Sequence, residues 1–367
     1  MKSGLSTNAV KRISAVLNQI ITDFPEQEFE RDAFNGLEKL ELKQRVDHLI
    51  AVLADYLPAD FSQAAEVLLQ LKTNWDWGDE NDALSSFAAW PLVDYVAVYG
   101  LEHPELALKI LKHLTALFSA EFAVRPFIEL NFELTQQTLL TWCTDDDEHV
   151  RRLASEGSRP RLPWGKRLAK FCNDPSAILP ILVLLKDDTS LYVRRSVANN
   201  LNDISKDNPD CVIQLCRQWA YQAPAQRQWL IRHALRSLVK QGRIEVFPLL
   251  GYTEQPDLKL MNFCLDKSVI KLGEKLALSI ELRSLSKHSQ KFVLDYKVHH
   301  RKANGSTTAK VFKWKNISLA AYGTIELTKL HSFKQITTRT YYAGQHAIEI
   351  LVNGQSRVKK PFQLMLE

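Results

Sequence analysis

Seven basic residues, one acid and one aromatic crowd into the stretch VRRLASEGSRPRLPWGKRLAK, residues 150 to 170. The cations are Arg151, Arg152, Arg159, Arg161, Lys166, Arg167 and Lys170, the acid is Glu156, and Trp164 stands between Pro163 and Gly165. Cations at this density hold anions, a tryptophan fixed by a proline presents a flat face for stacking, and a carboxylate can face a developing positive charge. The run reads as a solvated, anion-binding loop. This combination suits cleavage of a bond that leaves a cationic sugar, because an oxocarbenium-like transition state needs a nearby carboxylate and a positioned water. Signatures of other chemistries do not occur: there is no Walker or dinucleotide glycine loop, no H-E-x-x-H and no G-x-S-x-G.

The elements that must position this stretch repeat. Val150-Arg151-Arg152 recurs as Val193-Arg194-Arg195 and, more loosely, as Leu230-Ile231-Arg232, at offsets of 43 and 37 residues. Trp90-Pro91-Leu92-Val93-Asp94 is echoed by Arg125-Pro126-Phe127-Ile128-Glu129 at an offset of 35. Apolar residues at helical spacing fill residues 5–22, 37–57, 61–72 and 90–140, and the turns between helices are rich in aspartate (Asp145-Asp146-Asp147-Glu148, Asp187-Asp188). This is the pattern of a HEAT-like α-solenoid, which stacks amphipathic helix pairs over one continuous core. Arginines that recur at one structural position should form a ridge along one face.

The texture changes after Asp266. Residues 276–282, 292–298, 309–314 and 344–352 alternate apolar with polar, and Asn304-Gly305 and Asn353-Gly354 mark turns. About seven short strands fit an immunoglobulin-like sandwich. The expected architecture is therefore mainly α, a HEAT-like solenoid over residues 1–265 followed by an all-β immunoglobulin-like sandwich over 266–367.

With 367 residues, 46% of them hydrophobic, the chain can bury large cores. The N-terminus MKSGLSTNAVKRIS lacks an apolar run, and no stretch reaches the roughly 18 uninterrupted apolar residues of a membrane span. Neither secretion nor membrane insertion is expected, and a cytoplasmic location is. The five cysteines form no C-x-x-C pair and have no histidines at zinc spacing, so reduced thiols and no metal are expected. The net charge of +5 is unevenly distributed: −8 over residues 1–120, +2 over 121–265 and +11 over 266–367. Such an asymmetry is expected when one end of a molecule faces a polyanion, although a lysine-rich β domain also uses lysines to keep its edges soluble.

Two motifs carry a family resemblance. Residues 194–209, RRSVANNLNDISKDNP, resemble the diagnostic repeat of the bacterial DNA alkylation repair glycosylases built from HEAT-like repeats. The segment Ser155–Gly165, SEGSRPRLPWG, together with the appended β domain, is similar to the AlkC branch rather than the AlkD branch. The resemblance covers essentially the whole chain. It implies a monofunctional alkylpurine DNA glycosylase, monomeric and without cofactor, that acts on double-stranded DNA. Its substrates would be cationic alkylated bases, chiefly 3-methyladenine and 3-methylcytosine, excised without deep insertion of the base into the protein.

On that reading Glu156, Asp203 and Glu121 are the candidate carboxylates, with Trp164 against the cationic nucleotide. Arg152, Arg159, Arg161, Lys166, Arg194, Arg195, Arg232, His233 and Arg236 are the candidate DNA contacts, and the β domain touches DNA as well. Each assignment has a structural competitor. Asp203 could end a helix before Lys206-Asp207-Asn208-Pro209, Glu121 could be an ordinary helix N-terminal acid, and Arg152 and Arg195 could pair with the aspartate-rich turns as interrepeat ion pairs. The competing function is a non-catalytic scaffold that binds nucleic acid or an acidic protein through the same ridge.

Overall fold

The computed structural model describes residues 2–79 and 81–366. Its helices are α1 (Thr7–Ile20), α2 (Glu26–Phe34), α3 (Leu42–Tyr56), α4 (Phe61–Leu68), α5 (Leu71–Asn74), α6 (Trp90–Tyr99), α7 (Pro104–Leu114), α8 (Arg125–Leu130) and α9 (Phe132–Trp142). They continue as α10 (Glu148–Gly157), α11 (Ala169–Asn173), α12 (Leu179–Leu185), α13 (Leu191–Ile204), α14 (Pro209–Ala220), α15 (Ala225–Ala234), α16 (Arg236–Gln241) and α17 (Val246–Leu249). Helices pair with neighbours in sequence, as α6 with α7 and α8 with α9, and stack on the corresponding helix of the next pair, as α3 does on α6 and α10 on α13. Local chemistry sets the starts. Asp147 caps α10 and Ser190 caps α13 through their side-chain oxygens, and prolines stand in the first turn of α6, α7, α8 and α12, where no amide hydrogen is required.

The expected solvated loop is only half present. Residues 150–157 are the body of α10 instead, so Glu156 lies on a helix and is buried. Only residues 158–168 form the irregular segment, held open by Pro160, Pro163 and Gly165.

Compactness divides the chain into Met1–Asn208 and Pro209–Glu367. Helices α14 to α17 therefore belong with the sandwich, not with the solenoid. A glycine contact shows why: Gly242, just past α16, and Gly354, in the last hairpin turn, both have positive φ (77° and 71°) and abut so closely that a Cβ on Gly354 would strike the Gly242 backbone. Asn353 Nδ2 donates to Thr253 O at 2.8 Å and adds a second tie.

The sandwich has eight strands, starting at Leu258 rather than after 266: β1 (Leu258–Leu265), β2 (Val269–Lys271), β3 (Lys275–Ser284), β4 (Gln290–Arg301), β5 (Thr307–Leu319), β6 (Thr324–Ser332), β7 (Gly344–Val352) and β8 (Gln355–Met365). One sheet runs β1-β3-β6, the other β2-β8-β7-β4-β5, and all pairings are antiparallel except β2 with β8. Strict alternation puts Leu276, Leu278, Ile280 and Leu282 of β3 into the core. On edge strand β5, Lys310, Lys313 and Lys315 are exposed.

Three buried histidines sit in this core. His300, His331 and His346 pack among Tyr296, Phe333 and Phe362, and neither ring nitrogen of His300 has a hydrogen-bond partner among the described residues. Burial lowers all three pKa values, His300 to about 3 and His331 to about 4. The unfolded chain therefore binds more protons than the folded one below the ordinary histidine value near 6.5. Stability is full above that pH and falls as pH drops toward about 4, by at most about 1.4 kcal/mol per pH unit per histidine. Scanning calorimetry between pH 7.5 and 4.5 should show the β unit's melting temperature dropping, and His300→Leu should make that drop shallower. An unchanged slope in the variant would contradict this account.

Candidate active site

The site is assembled on α10 and α13. Gly157 at the end of α10 lies so close to Val124 that an added Cβ would stand 2.5 Å from its Cγ1. On the facing side, Ser196 Oγ meets Ser155 Oγ at 2.9 Å, and Asn200 Nδ2 donates to Ser155 O at 2.8 Å and to Ser158 Oγ at 3.3 Å. Small and polar residues thus let α13 approach α10 closely, joined by these hydrogen bonds, while the buried Asn200 Oδ1 has no partner among the described residues. Arg125, almost fully buried, anchors the irregular segment after α10. Its guanidinium donates to the carbonyls of Gly157 (2.8 Å), Arg159 (2.9 Å) and Lys166 (2.8 Å) and so fixes both ends of residues 158–168. Burial lowers its pKa to about 10, and it still carries its charge at neutral pH.

These contacts create an alternating chain of charges. Arg152 Nη1 meets Glu121 Oε2 at 2.6 Å and Ser119 Oγ at 2.5 Å, and its Nη2 lies 3.4 Å from Glu156 Oε1. Arg159 Nη1 holds that same Glu156 oxygen at 2.6 Å, while its Nε holds Asp203 Oδ2 at 2.8 Å. Lys206 Nζ closes the chain on Asp203 Oδ1 at 2.7 Å. Burial opposes the charge on Arg152 and Arg159, but the neighbouring carboxylates outweigh it and the pKa of both guanidiniums is raised. The Arg152 guanidinium also stacks 4.9 Å from the ring centre of Tyr192.

Glu121, Glu156, Arg152, Arg159 and Trp164 all line one cavity of about 490 Å³, with Trp90, Phe118 and Phe122 as an aromatic wall. Trp164 is 56% exposed and adopts a left-handed φ of 65°, a conformation that costs about 1–3 kcal/mol for such a residue. The turn Leu162–Gly165, closed by Gly165 N to Leu162 O (3.1 Å), imposes it, and Lys43 Nζ donates to the Trp164 carbonyl at 2.8 Å. Physically, the cavity offers two carboxylates joined by one guanidinium beside an exposed indole face. Planar cations of ligand size fit such a site.

The other expected site residues lie elsewhere. Asp203 does not line the cavity; it stands behind Arg159, 2% exposed. Arg152 and Arg159 face carboxylates rather than open solvent. Arg161 forms a two-bond pair with Asp207 (2.7 and 2.5 Å), and Lys166 pairs with Glu129 at 2.6 Å. Arg194 is buried and folds back onto the carbonyls of Asp188 and Thr189, while its repeat equivalent Arg151 binds the Asp188 carboxylate. The first arginine of each Val-Arg-Arg therefore ties down an aspartate-rich turn and is not part of an exposed ridge. The second arginine of the later pair points away: Arg195 is exposed and has no ion-pair partner among the described residues.

In the other unit, Arg232 reaches Tyr252 Oη at 3.2 Å, His233 stacks on Trp229 with ring centres 5.2 Å apart, and Arg236 donates to His233 O at 2.6 Å. Among the described residues no group of three or more histidine, cysteine, aspartate or glutamate side chains could hold a metal, and no helix is long and apolar enough to cross a membrane.

Comparison with known proteins bears on this geometry. Residues 259–366 match the family model described as the C-terminal Ig-like domain of uncharacterised protein YhaZ. YhaZ of Bacillus subtilis strain 168 is 37% identical over 358 residues, 96% of each chain. The solved structure of Pseudomonas fluorescens alkylpurine DNA glycosylase AlkC, bound to DNA containing an abasic site analog, is 38% identical, covers 99% of both chains and superposes with a TM-score of 0.92. The chain belongs to the AlkC family. It thereby shares the AlkC fold, a mainly helical body with a C-terminal immunoglobulin-like domain.

Within this AlkC-family chain, Arg125, Trp90 and Tyr192 are site residues that motif reading missed. A signal for two of them was present. Trp90-Pro91 and Arg125-Pro126 are repeat equivalents that open α6 and α8, and both reach the site.

Arg159→Met should destabilise the protein by about 3–5 kcal/mol, because Glu156 and Asp203 would be left buried without their shared partner. Urea unfolding measures this, and Arg159→Lys should recover part of the loss. A loss below about 1 kcal/mol would show that these pairs do not hold the helices.

Proposed function

We propose that this protein is a DNA glycosylase that excises cationic N3-alkylated bases, 3-methyladenine and 3-methylcytosine, from duplex DNA by hydrolysis of the N-glycosidic bond. The observation that carries the reading is the pair of carboxylates, Glu156 and Glu121, bridged by Arg152 beside the exposed face of Trp164. The P. fluorescens neighbour acts on alkylpurines and was solved on DNA with an abasic site analog, which supports the same class of substrate and product here.

The chemistry needs no general acid. Alkylation has already made the base cationic, so when the bond to C1′ breaks, its electron pair goes to the base and the base departs neutral. The positive charge passes to C1′ and O4′ of the sugar. Glu156 faces that charge and orients water, which adds to C1′ and passes its proton by way of the Glu156 carboxylate to solvent. Glu121 adds a second negative charge from the other end of Arg152. The exposed face of Trp164 presses on the cationic nucleotide, a contact worth about 0.5–2 kcal/mol, and no deep pocket for the base is required. Asp203 acts one step back, by holding Arg159. The protein works as a monomer without cofactor in the bacterial cytoplasm.

Phosphates fall to the cations that the fold leaves unneutralised. Arg195 comes first, then Arg232 and the exposed lysines of β5, while Arg161 and Lys166 would have to leave their acids to take part. Such contacts add salt-dependent affinity rather than sequence choice.

Release of methylated base from N-methylated duplex, followed by chromatography under single-turnover conditions, tests the reading. Wild type should release 3-methyladenine well above the uncatalysed rate. Glu156→Gln, shown folded by a thermal melt, should be slower by about 100- to 1000-fold while still binding DNA. A folded variant within about threefold of wild type would remove Glu156 from the chemistry, and a wild type that releases no base would leave a DNA-binding scaffold.

A further inference from the structure

One residue of the cavity's aromatic wall, Trp90, makes a hydrogen bond to a residue outside the cavity. Trp90 Nε1 donates to Asp94 Oδ2 at 2.7 Å, one turn further along α6. The indole then lies nearly flat against Phe118 (ring centres 5.1 Å apart, 16°) and Phe122 (5.7 Å, 24°), and Phe87 meets it edge-on at 5.7 Å. Phe118 and Phe122 bracket Ser119 and Glu121, whose side chains are joined at 2.8 Å and gripped by Arg152.

We infer that Asp94 is a positioning residue: it fixes the Trp90 indole, and through the Phe118–Phe122 stack it fixes the segment that presents Glu121 to the cavity. This rests on the glycosylase reading for its consequence in rate, but not for its geometry. Asp94 does not line the cavity. Its Oδ1 is buried and has no hydrogen-bond partner, so the bond to Trp90 is the one made by its side chain among the described residues.

The bond is sensitive to protonation. Burial raises the Asp94 pKa to about 7, opposed by the Trp90 N–H and by Lys43, and assisted by Asp47. Of the elements packed on α6, α3 supplies Lys43 and Asp47, the short turn Ser85–Ala89 carries no titratable side chain, and α7 carries Glu105, Lys109, Lys112 and His113. Above about pH 7 the indole donates to a carboxylate, a charge-assisted bond; below it the acceptor is a neutral acid and the bond weakens. The aromatic wall should therefore loosen as pH falls through 7.

The test uses the full chain labelled with ¹⁵N at its tryptophan indoles, with the Trp90 signal assigned by its loss in Trp90→Phe. That signal should shift between pH 5.5 and 8.5 with a midpoint near 7, and should stay still in Asp94→Asn, which retains an acceptor oxygen but cannot titrate. In parallel, single-turnover excision by wild type should fall about three- to tenfold from pH 8 to pH 6, whereas Asp94→Asn should show a flattened profile and unchanged affinity for undamaged duplex. A Trp90 signal that does not titrate in wild type, or an Asp94→Asn enzyme with the wild-type rate and pH profile, overturns the assignment. A wild type without excision at any pH would overturn the glycosylase reading, and the indole titration would still decide the role of Asp94.

Discussion

Two guanidiniums set among carboxylates, Arg159 buried and Arg152 half-buried, are the constraint on which the helical unit depends. A buried charge is tolerated only when it is paired and hydrogen-bonded, and here neither sign can be removed without stranding the other. Arg159 joins Glu156 to Asp203, and Arg152 joins Glu156 to Glu121. Because the elements that supply these groups must meet within hydrogen-bond distance, the chain of charges also fixes the register of α10 against α13. The stability of the helical unit and the chemistry proposed for the cavity therefore rest on the same atoms.

Close approach makes the chain possible. Gly157 gives room against Val124, and Ser155, Ser196 and Asn200 replace bulk with mutual hydrogen bonds across the helix interface. Arg125 then directs its donors to backbone carbonyls at both ends of the 158–168 segment. That anchoring lets the segment hold Trp164 in a left-handed conformation at the cavity rim, where an unconstrained loop would relax. Rigid supports placed behind exposed working groups are what preorganised sites require.

Much of this was legible in the sequence, for reasons that differ by residue. The Val-Arg-Arg repeat, the aspartate-rich turns and the alternating strands report periodicity, and periodicity survives in a one-dimensional string. Glu156 and Trp164 stand out because an acid or an aromatic set among cations is unusual, Glu121 enters only as an acid that the preceding repeat could supply, and the structure brings all three to one cavity. Solvent exposure was not legible. Seven basic residues in a row of twenty-one look like a wet loop, yet acids 37 to 46 residues away neutralise Arg151, Arg161 and Lys166, and such partners appear only when the solenoid closes. The boundary near residue 209 was equally hidden, since α14 to α17 have helical composition but pack with the sandwich through Gly242 and Gly354.

Glu121, Arg152 and Glu156, linked through one guanidinium, are expected to act as one unit toward the cavity. A double-mutant cycle of Glu121→Gln and Arg152→Gln, read as single-turnover excision of 3-methyladenine at saturating enzyme, tests it most directly. Linked residues should be strongly non-additive, so that the double variant is no slower than the slower single variant within about threefold. If the two losses simply multiply, the residues act independently, and the shared guanidinium is a structural tie without part in the chemistry.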